Sequence, residues 1–310
     1  MYMPQLKVSQ FVRLLSWENK WYNPCVSVCI PCEKTKGTQS KAMNLKKWIV
    51  NREQIGRPCF SRQEVADDFR SLSAGALDSA LSRFSRNKLI QSVHRGYYCV
   101  IPPRYVRVGR LPPEYYIESL MQWLGKPYYV ALLSAAAVYG AQHQKVMVTQ
   151  VMVQMPHATT SAKKNPDVNW LYRQHIPAEF LVRRNGESDV VTYSNPELTA
   201  IDLVRYADKA GGLSNISTVL AELREVTNFK GASGGVFTTA GVTDIQRLGY
   251  IYEVVLGDSA QSDVIYSELA KMDVAVHLAA LNPSMPDDAS SVVNKRWRLH
   301  INTEIELDEL

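Results

Sequence analysis

The chain has 310 residues, of which 46% are hydrophobic and 21% charged, and carries a net charge of +5. That length exceeds one small core and suits two domains, and the balance of apolar and charged residues excludes a disordered or fibrous chain. No apolar run reaches the roughly 18 residues a membrane-spanning helix needs, and Lys7 and Arg13 interrupt the mildly apolar start, so neither a span nor a secretory leader is expected and the location reads as cytoplasmic.

Charge is unevenly distributed: residues 1–43 carry +4, residues 44–110 carry +8 and residues 111–310 carry −7. A basic segment gains affinity for a polyanion by releasing counterions from its phosphates, although the same charge also suits a merely solvated surface. Residues 1–43 read as an extension, disordered or the product of an upstream start. Within it Cys25, Cys29 and Cys32 make C-x3-C-x2-C, a spacing that resembles the iron–sulfur ligation of radical SAM enzymes. Such enzymes need a long series of alternating strands and helices after the cysteines, whereas a compact helical pattern follows here. Zinc would need a fourth ligand from Cys59, Cys99 or a histidine. No metal or cofactor is expected.

From Asn44 the punctuation predicts three helices and a hairpin. Leu45, Trp48 and Ile49 fall at helical spacing before Gly56-Arg57-Pro58 stops the helix. Ser61 with Glu64 three positions on is a capping box for a second helix, whose buried stripe is Val65, Ala66 and Phe69. Ser73 opens a third, with Leu77, Ala80, Leu81 and Phe84 turned to the core. Its opposite face carries Ser79, Ser82, Arg83 and Arg86, with Ser85 and Asn87 on the flank. Arginine forks onto guanine edges, and serine and asparagine reach phosphates or bases, so this face suits a major groove. Two β-prone runs, 89–93 and 97–101, flank His94-Arg95-Gly96, a hairpin with a basic tip. The order matches a winged helix-turn-helix over 44–105. The candidate DNA contacts are Arg62, Ser79, Ser82, Arg83, Arg86, Lys88, His94 and Arg95, with Lys46, Lys47 and Arg70 as additional phosphate contacts. The competing reading is a packing module with solvated charges.

A basic connector bounded by prolines, with Arg104, Arg107 and Arg110, marks a linker at 106–113. Beyond it a larger mixed α/β domain, 114–310, is expected to hold helices at 114–124, 129–141, 196–209 and 214–226 and strands at 145–155, 178–183 and 190–193. Asn195 or Ser194 should cap the helix that opens with Pro196. The segment 159–169 reads as a polar exposed loop, Asp202 and Arg205 as a pair one turn apart, and Arg183 and Arg184 as an exposed cationic pair. Ser134 to Ala137 with Gly140 present small residues that permit close packing. Gln142, His143 and Gln144 end that helix.

The strings YYVALLSAAAVYGAQHQKVMVTQVMV, TYSNPELTAIDLVRYADKAGGLSNISTVLAEL, IQRLGYIYEVVLG and KRWRLHINTEIELD resemble the AbiEi family of antitoxins from type IV toxin–antitoxin systems, over about 44–308. The resemblance implies an N-terminal winged helix that represses its own operon by binding inverted operator repeats. It also implies a C-terminal antitoxin domain that counteracts a nucleotidyltransferase-like toxin, AbiEii, in abortive infection. The fold expected is therefore α+β: a winged helix-turn-helix followed by a larger mixed α/β antitoxin domain. The alternative is an interaction module whose acidic domain grips a basic toxin. No Walker or Rossmann glycine loop, H-E-x-x-H pair or G-x-S-x-G elbow is present, so no enzyme is expected.

Overall fold

The structure, a computed structural model, describes residues 45–141, 147–156, 165–232, 234–286 and 292–307. The three cysteines at 25, 29 and 32, the extension as a whole and the 142–144 segment lie outside the described residues. Helix α1 (Leu45–Gln54) buries Leu45, Trp48 and Ile49. Strand β1 (Cys59–Ser61) runs directly into α2 (Arg62–Asp68), because Ser61 both ends the strand and caps the helix. Its Oγ accepts from the Glu64 amide at 3.1 Å, while the Glu64 carboxylate accepts from the Ser61 amide at 2.5 Å, the reciprocal pair predicted. The Ser73 hydroxyl accepts from the Ala76 amide at 3.3 Å and opens α3 (Ala74–Arg86). Strands β2 (Ile90–His94) and β3 (Tyr97–Val100) form the expected hairpin.

Strand β1 is an addition to the predicted elements: at three residues it is too short to show a period. It pairs antiparallel with β3, giving a three-stranded sheet of order β1-β3-β2. Cys59 and Cys99 stand opposite each other in that register and are joined by a disulfide, which removes both from any metal-ligand set.

The connector holds a short helix, α4 (Pro103–Val106), a 3-10 turn at Pro113–Tyr115, and α5 (Ile117–Leu124), closed by Gly125 in a left-handed conformation. Strand β4 (Tyr128–Val130) precedes α6 (Leu132–Val138). The helix expected from residue 129 therefore starts three residues later, because Tyr128, Tyr129 and Val130 suit a pleated surface and are taken by strands on both sides. Strands β5 (Thr149–Gln154), β6 (Val168–Arg173), β7 (Leu181–Asn185) and β8 (Val190–Ser194) complete a five-stranded sheet of order β6-β5-β4-β8-β7. The β5/β6 and β4/β8 pairs are parallel, and β4/β5 and β7/β8 antiparallel. Helices α7 (Pro196–Arg205), α8 (Gly212–Leu223), α9 (Val242–Tyr250, extended by a π turn at Ile251–Val255) and α10 (Ser259–Lys271) follow. A small sheet of β9 (Ala279–Ala280), β10 (Val292–Asn294) and β11 (Leu299–Ile301) lies near the carboxyl end.

Both faces of the large sheet are covered. Tyr129, Met152 and Leu171 join the core made by α6 to α10, whereas Tyr128, Val130, Val151, Val153 and Val191 point the other way. Successive strand residues alternate between faces, so each run feeds two cores. The second core also contains Ile117, Leu120 and Met121 of α5 and, from the first module, Val93, Tyr97 and Cys99. The proline-bounded connector is no break in packing: Leu111 is fully buried in that core, and its amide donates to Gln91 Oε1 at 2.8 Å. Asn165, read as part of an exposed loop, is 1% exposed. Its amide donates to the Val93 carbonyl at 2.7 Å and its oxygen accepts from the Tyr116 hydroxyl at 3.2 Å.

Candidate nucleic-acid interface

Helix α3 buries Leu77 and Leu81 and half-buries Ala80 and Phe84, so its other face is turned to solvent. Ser79, Ser82, Arg83 and Arg86 are all exposed there, one or two turns apart. Among the described residues, neither arginine lies within ion-pair distance of a carboxylate; the Arg83 guanidinium rests 5.7 Å from the Phe84 ring centre. These four residues form a contiguous stripe of hydrogen-bonding and cationic groups that no partner among the described residues consumes. Ser85 is half-buried and Asn87 exposed at the helix end.

The other predicted contacts are arranged differently. Arg62 directs its guanidinium at Asp78 of α3, through Nε at 2.6 Å and Nη2 at 3.1 Å, and its backbone amide donates to the Gly96 carbonyl at 2.7 Å. The side-chain hydrogen bond to Arg62 and its positive charge hold the Asp78 carboxyl below the ordinary carboxylate range. Arg62 thus ties α2 to α3 and neutralises the acid beside the exposed stripe. Lys88 is exposed, in a left-handed conformation at φ 55°, with its stem folded over Gly109. A Cβ on Gly109 would meet Lys88 Cε at 2.9 Å, a flexible side-chain end that can move aside, but Gly109 itself sits at φ +75°, and that backbone conformation is what favours glycine there.

Arg95 is exposed at the hairpin tip, but His94 is buried, its ring edge-on to Trp123 of α5 at 5.3 Å between centres. The basic tip therefore comes down to Arg95. Tyr97 stacks on Trp123 at 4.9 Å, and its hydroxyl donates to the Ser119 carbonyl at 3.1 Å. Burial pushes the Tyr97 phenol up to about 12, so it stays a neutral donor at physiological pH. The hairpin is thus held along its inner side by α5. Lys46, Lys47 and Arg70 have exposed positions. In the connector, Arg104 pairs with Glu187 at 2.9 Å and Arg110 lies 3.6 Å from Asp167, while Arg107 is exposed.

In the larger domain the expected Asp202–Arg205 pair does not form. Asp202 is fully buried beneath the sheet, accepting from the Tyr129 hydroxyl at 2.7 Å and from Arg173 at 3.3 Å. Its burial pushes the carboxyl up to about 6, against the pull of Arg173 and the Tyr129 hydrogen bond. For Arg173, burial alone would lower the pKa, but Tyr129 and Asp202 raise it further. The two directions reflect one arrangement: the acid is wholly enclosed, while the guanidinium reaches past it. Arg205 instead donates to the Thr239 carbonyl at 2.8 Å. Arg183 lies 3.8 Å from Glu118 and Arg184 covers the Tyr139 ring at 4.7 Å, so the exposed pair on β7 is partly engaged. Among the described residues no cluster of three or more His, Cys, Asp or Glu side chains is placed to hold a metal, and no helix is long and apolar enough to cross a membrane.

A basic helix–helix–hairpin module packed on a mixed α/β domain defines the class: a two-part α+β protein whose larger half is built on a mixed sheet. Residues 129–254, from β4 into the π turn after α9, match the family model of the AbiEi antitoxin C-terminal domain. The crystal structure of the RV2827C protein from Mycobacterium tuberculosis has the same fold, with a TM-score of 0.57 at 15% identity, covering 83% of this chain and 91% of that one. No curated protein matches the chain.

Proposed function

We propose that residues 45–101 are a winged helix-turn-helix that lays α3 in the major groove of operator DNA, with Arg95 on the adjoining backbone, and that the protein represses its own operon in this way. Two copies would occupy inverted repeats, and the antitoxin would counteract a nucleotidyltransferase-like toxin of the AbiEii kind in a type IV system, acting by binding rather than by catalysis and in the cytoplasm. The observation that carries this reading is the α3 stripe: Ser79, Ser82, Arg83 and Arg86 are exposed together, opposite Leu77 and Leu81, inside the segment that holds the chain's largest positive charge. A packing module has no need of two arginines without carboxylate partners among the described residues, whereas a groove-reading helix does.

A gel shift on the DNA upstream of the protein's own gene tests it. The wild type is expected to bind with a steep salt dependence. Each arginine contact is worth about 1–3 kcal/mol, so the Arg83→Ala, Arg86→Ala double variant should bind at least about 30-fold more weakly. Unchanged affinity in a folded double variant would remove α3 from the interface.

A further inference from the structure

The geometry points to a second binding site, in the antitoxin domain: a cavity of about 630 Å³ at the carboxyl ends of β5 and β6 that takes a small phosphorylated ligand, of pyrophosphate or nucleotide size, on Arg173 and Arg205. Strands β5 and β6 are parallel neighbours, so both carboxyl ends open on the same side, the place where α/β sheets leave room for ligands. Arg173 is the last residue of β6, and Arg205 closes α7. Both guanidiniums donate to the same acceptor, the Thr239 carbonyl, at 2.9 Å and 2.8 Å, which sets them side by side.

Asp202 offsets the charge of Arg173, whereas Arg205 meets only the neutral Thr239 carbonyl and has no carboxylate partner among the described residues, and each guanidinium carries five N–H donors. Asp202 and the Tyr129 hydroxyl sit behind Arg173 and fix it from below, while the Tyr206 ring lies 5.7 Å from the Arg205 guanidinium. The pair is therefore oriented in advance, with donors left over toward the cavity. Among the residues lining it, Glu179 is the one carboxylate, and it is exposed; His175, Tyr172 and Thr238 add polar and aromatic wall. Paired planar guanidiniums suit a multiply charged phosphoryl group better than a single carboxylate, and the volume falls in the range of small-ligand pockets.

The site is separate from the α3 stripe, so its test needs no DNA. The full chain is titrated by calorimetry with inorganic pyrophosphate, with a nucleoside triphosphate, and with succinate as a carboxylate control. Saturable binding of either phosphorylated probe is expected, weakened by roughly 10- to 100-fold in Arg205→Ala and partly restored in Arg205→Lys. Arg224→Ala, which removes an exposed arginine whose side chain donates to the Leu256 carbonyl at 2.9 Å, should leave it intact. Binding of the triphosphate alone would support the site and show that the wall contributes. Absence of saturable binding at millimolar probe, equal binding of succinate, or affinity unchanged in a folded Arg205→Ala protein would overturn the assignment.

Discussion

The Arg62 guanidinium borders the exposed stripe of α3, yet both of its side-chain contacts go to Asp78. An unneutralised Asp78, four residues before Ser82 and so on the next turn, would face incoming phosphates and repel them. On the proposed DNA-binding reading, Arg62 would therefore serve the interface by cancelling a charge, a role different from the phosphate contact its position in the sequence suggests. A double-mutant cycle in the operator-binding assay separates the two. Arg62→Ala is expected to weaken binding roughly two- to fivefold at moderate salt, the scale of an exposed charge effect. Asp78→Asn should bind at least as well as the wild type, and the double variant should return close to the Asp78→Asn value. If Arg62→Ala costs as much with Asp78→Asn as without it, the guanidinium touches DNA directly and the neutralising role fails.

Elements with a local signature were legible, and those defined by partners far along the chain were not. Ser61 and Ser73 announced α2 and α3 because capping is settled within one turn, and the buried stripes followed from helical spacing. Strand β1 carries no such signal, since three residues become a strand only once β3 lies beside them. Tyr129 and Val130 read as helix because the alanine-rich run behind them dominates the window, and Asp202 was matched to its nearest arginine while its actual partner, Arg173, lies on another element. The carboxyl-terminal helices and strands were not predicted, although two strings that carried the family resemblance meet there. Gly249, in IQRLGYIYEVVLG, lies under the fully buried Trp297, in KRWRLHINTEIELD, and Gln246 donates to the Trp297 carbonyl at 2.7 Å. A Cβ on Gly249 would come within 2.0 Å of the indole. Gly249→Ala is accordingly expected to cost about 3 kcal/mol or more in urea denaturation. Combined with Trp297→Val, the two effects should add to less than their sum, because the smaller side chain frees the space the methyl needs. A destabilisation below about 1 kcal/mol for Gly249→Ala would show that the indole has room to move.

At the scale of the whole molecule, the family match at 129–254 covers less than the structure needs. Trp297 lies beyond its end, and the aromatic contacts of α5 with the hairpin lie before its start. The charge change near residue 110 suggests two independent bodies, but Val93, Tyr97 and Cys99 share one core with Val130, Val151 and Val191, and Asn165 bonds across it to the β2 backbone. A swinging module would have to tear that core open and leave the Val93 carbonyl unsatisfied, so residues 45–307 are expected to unfold as one cooperative unit, with α3 presented in a fixed orientation to the larger domain. Native-state hydrogen exchange as a function of urea checks this: the most protected amides of β3 and of β5 should lose protection with the same free energy and the same slope. Asn165→Ala should lower both by about 1–3 kcal/mol, the cost of stranding a buried carbonyl, without separating them. Two distinct slopes in the wild-type protein would mean that the connector acts as a hinge and that α3 reaches DNA independently of the domain behind it.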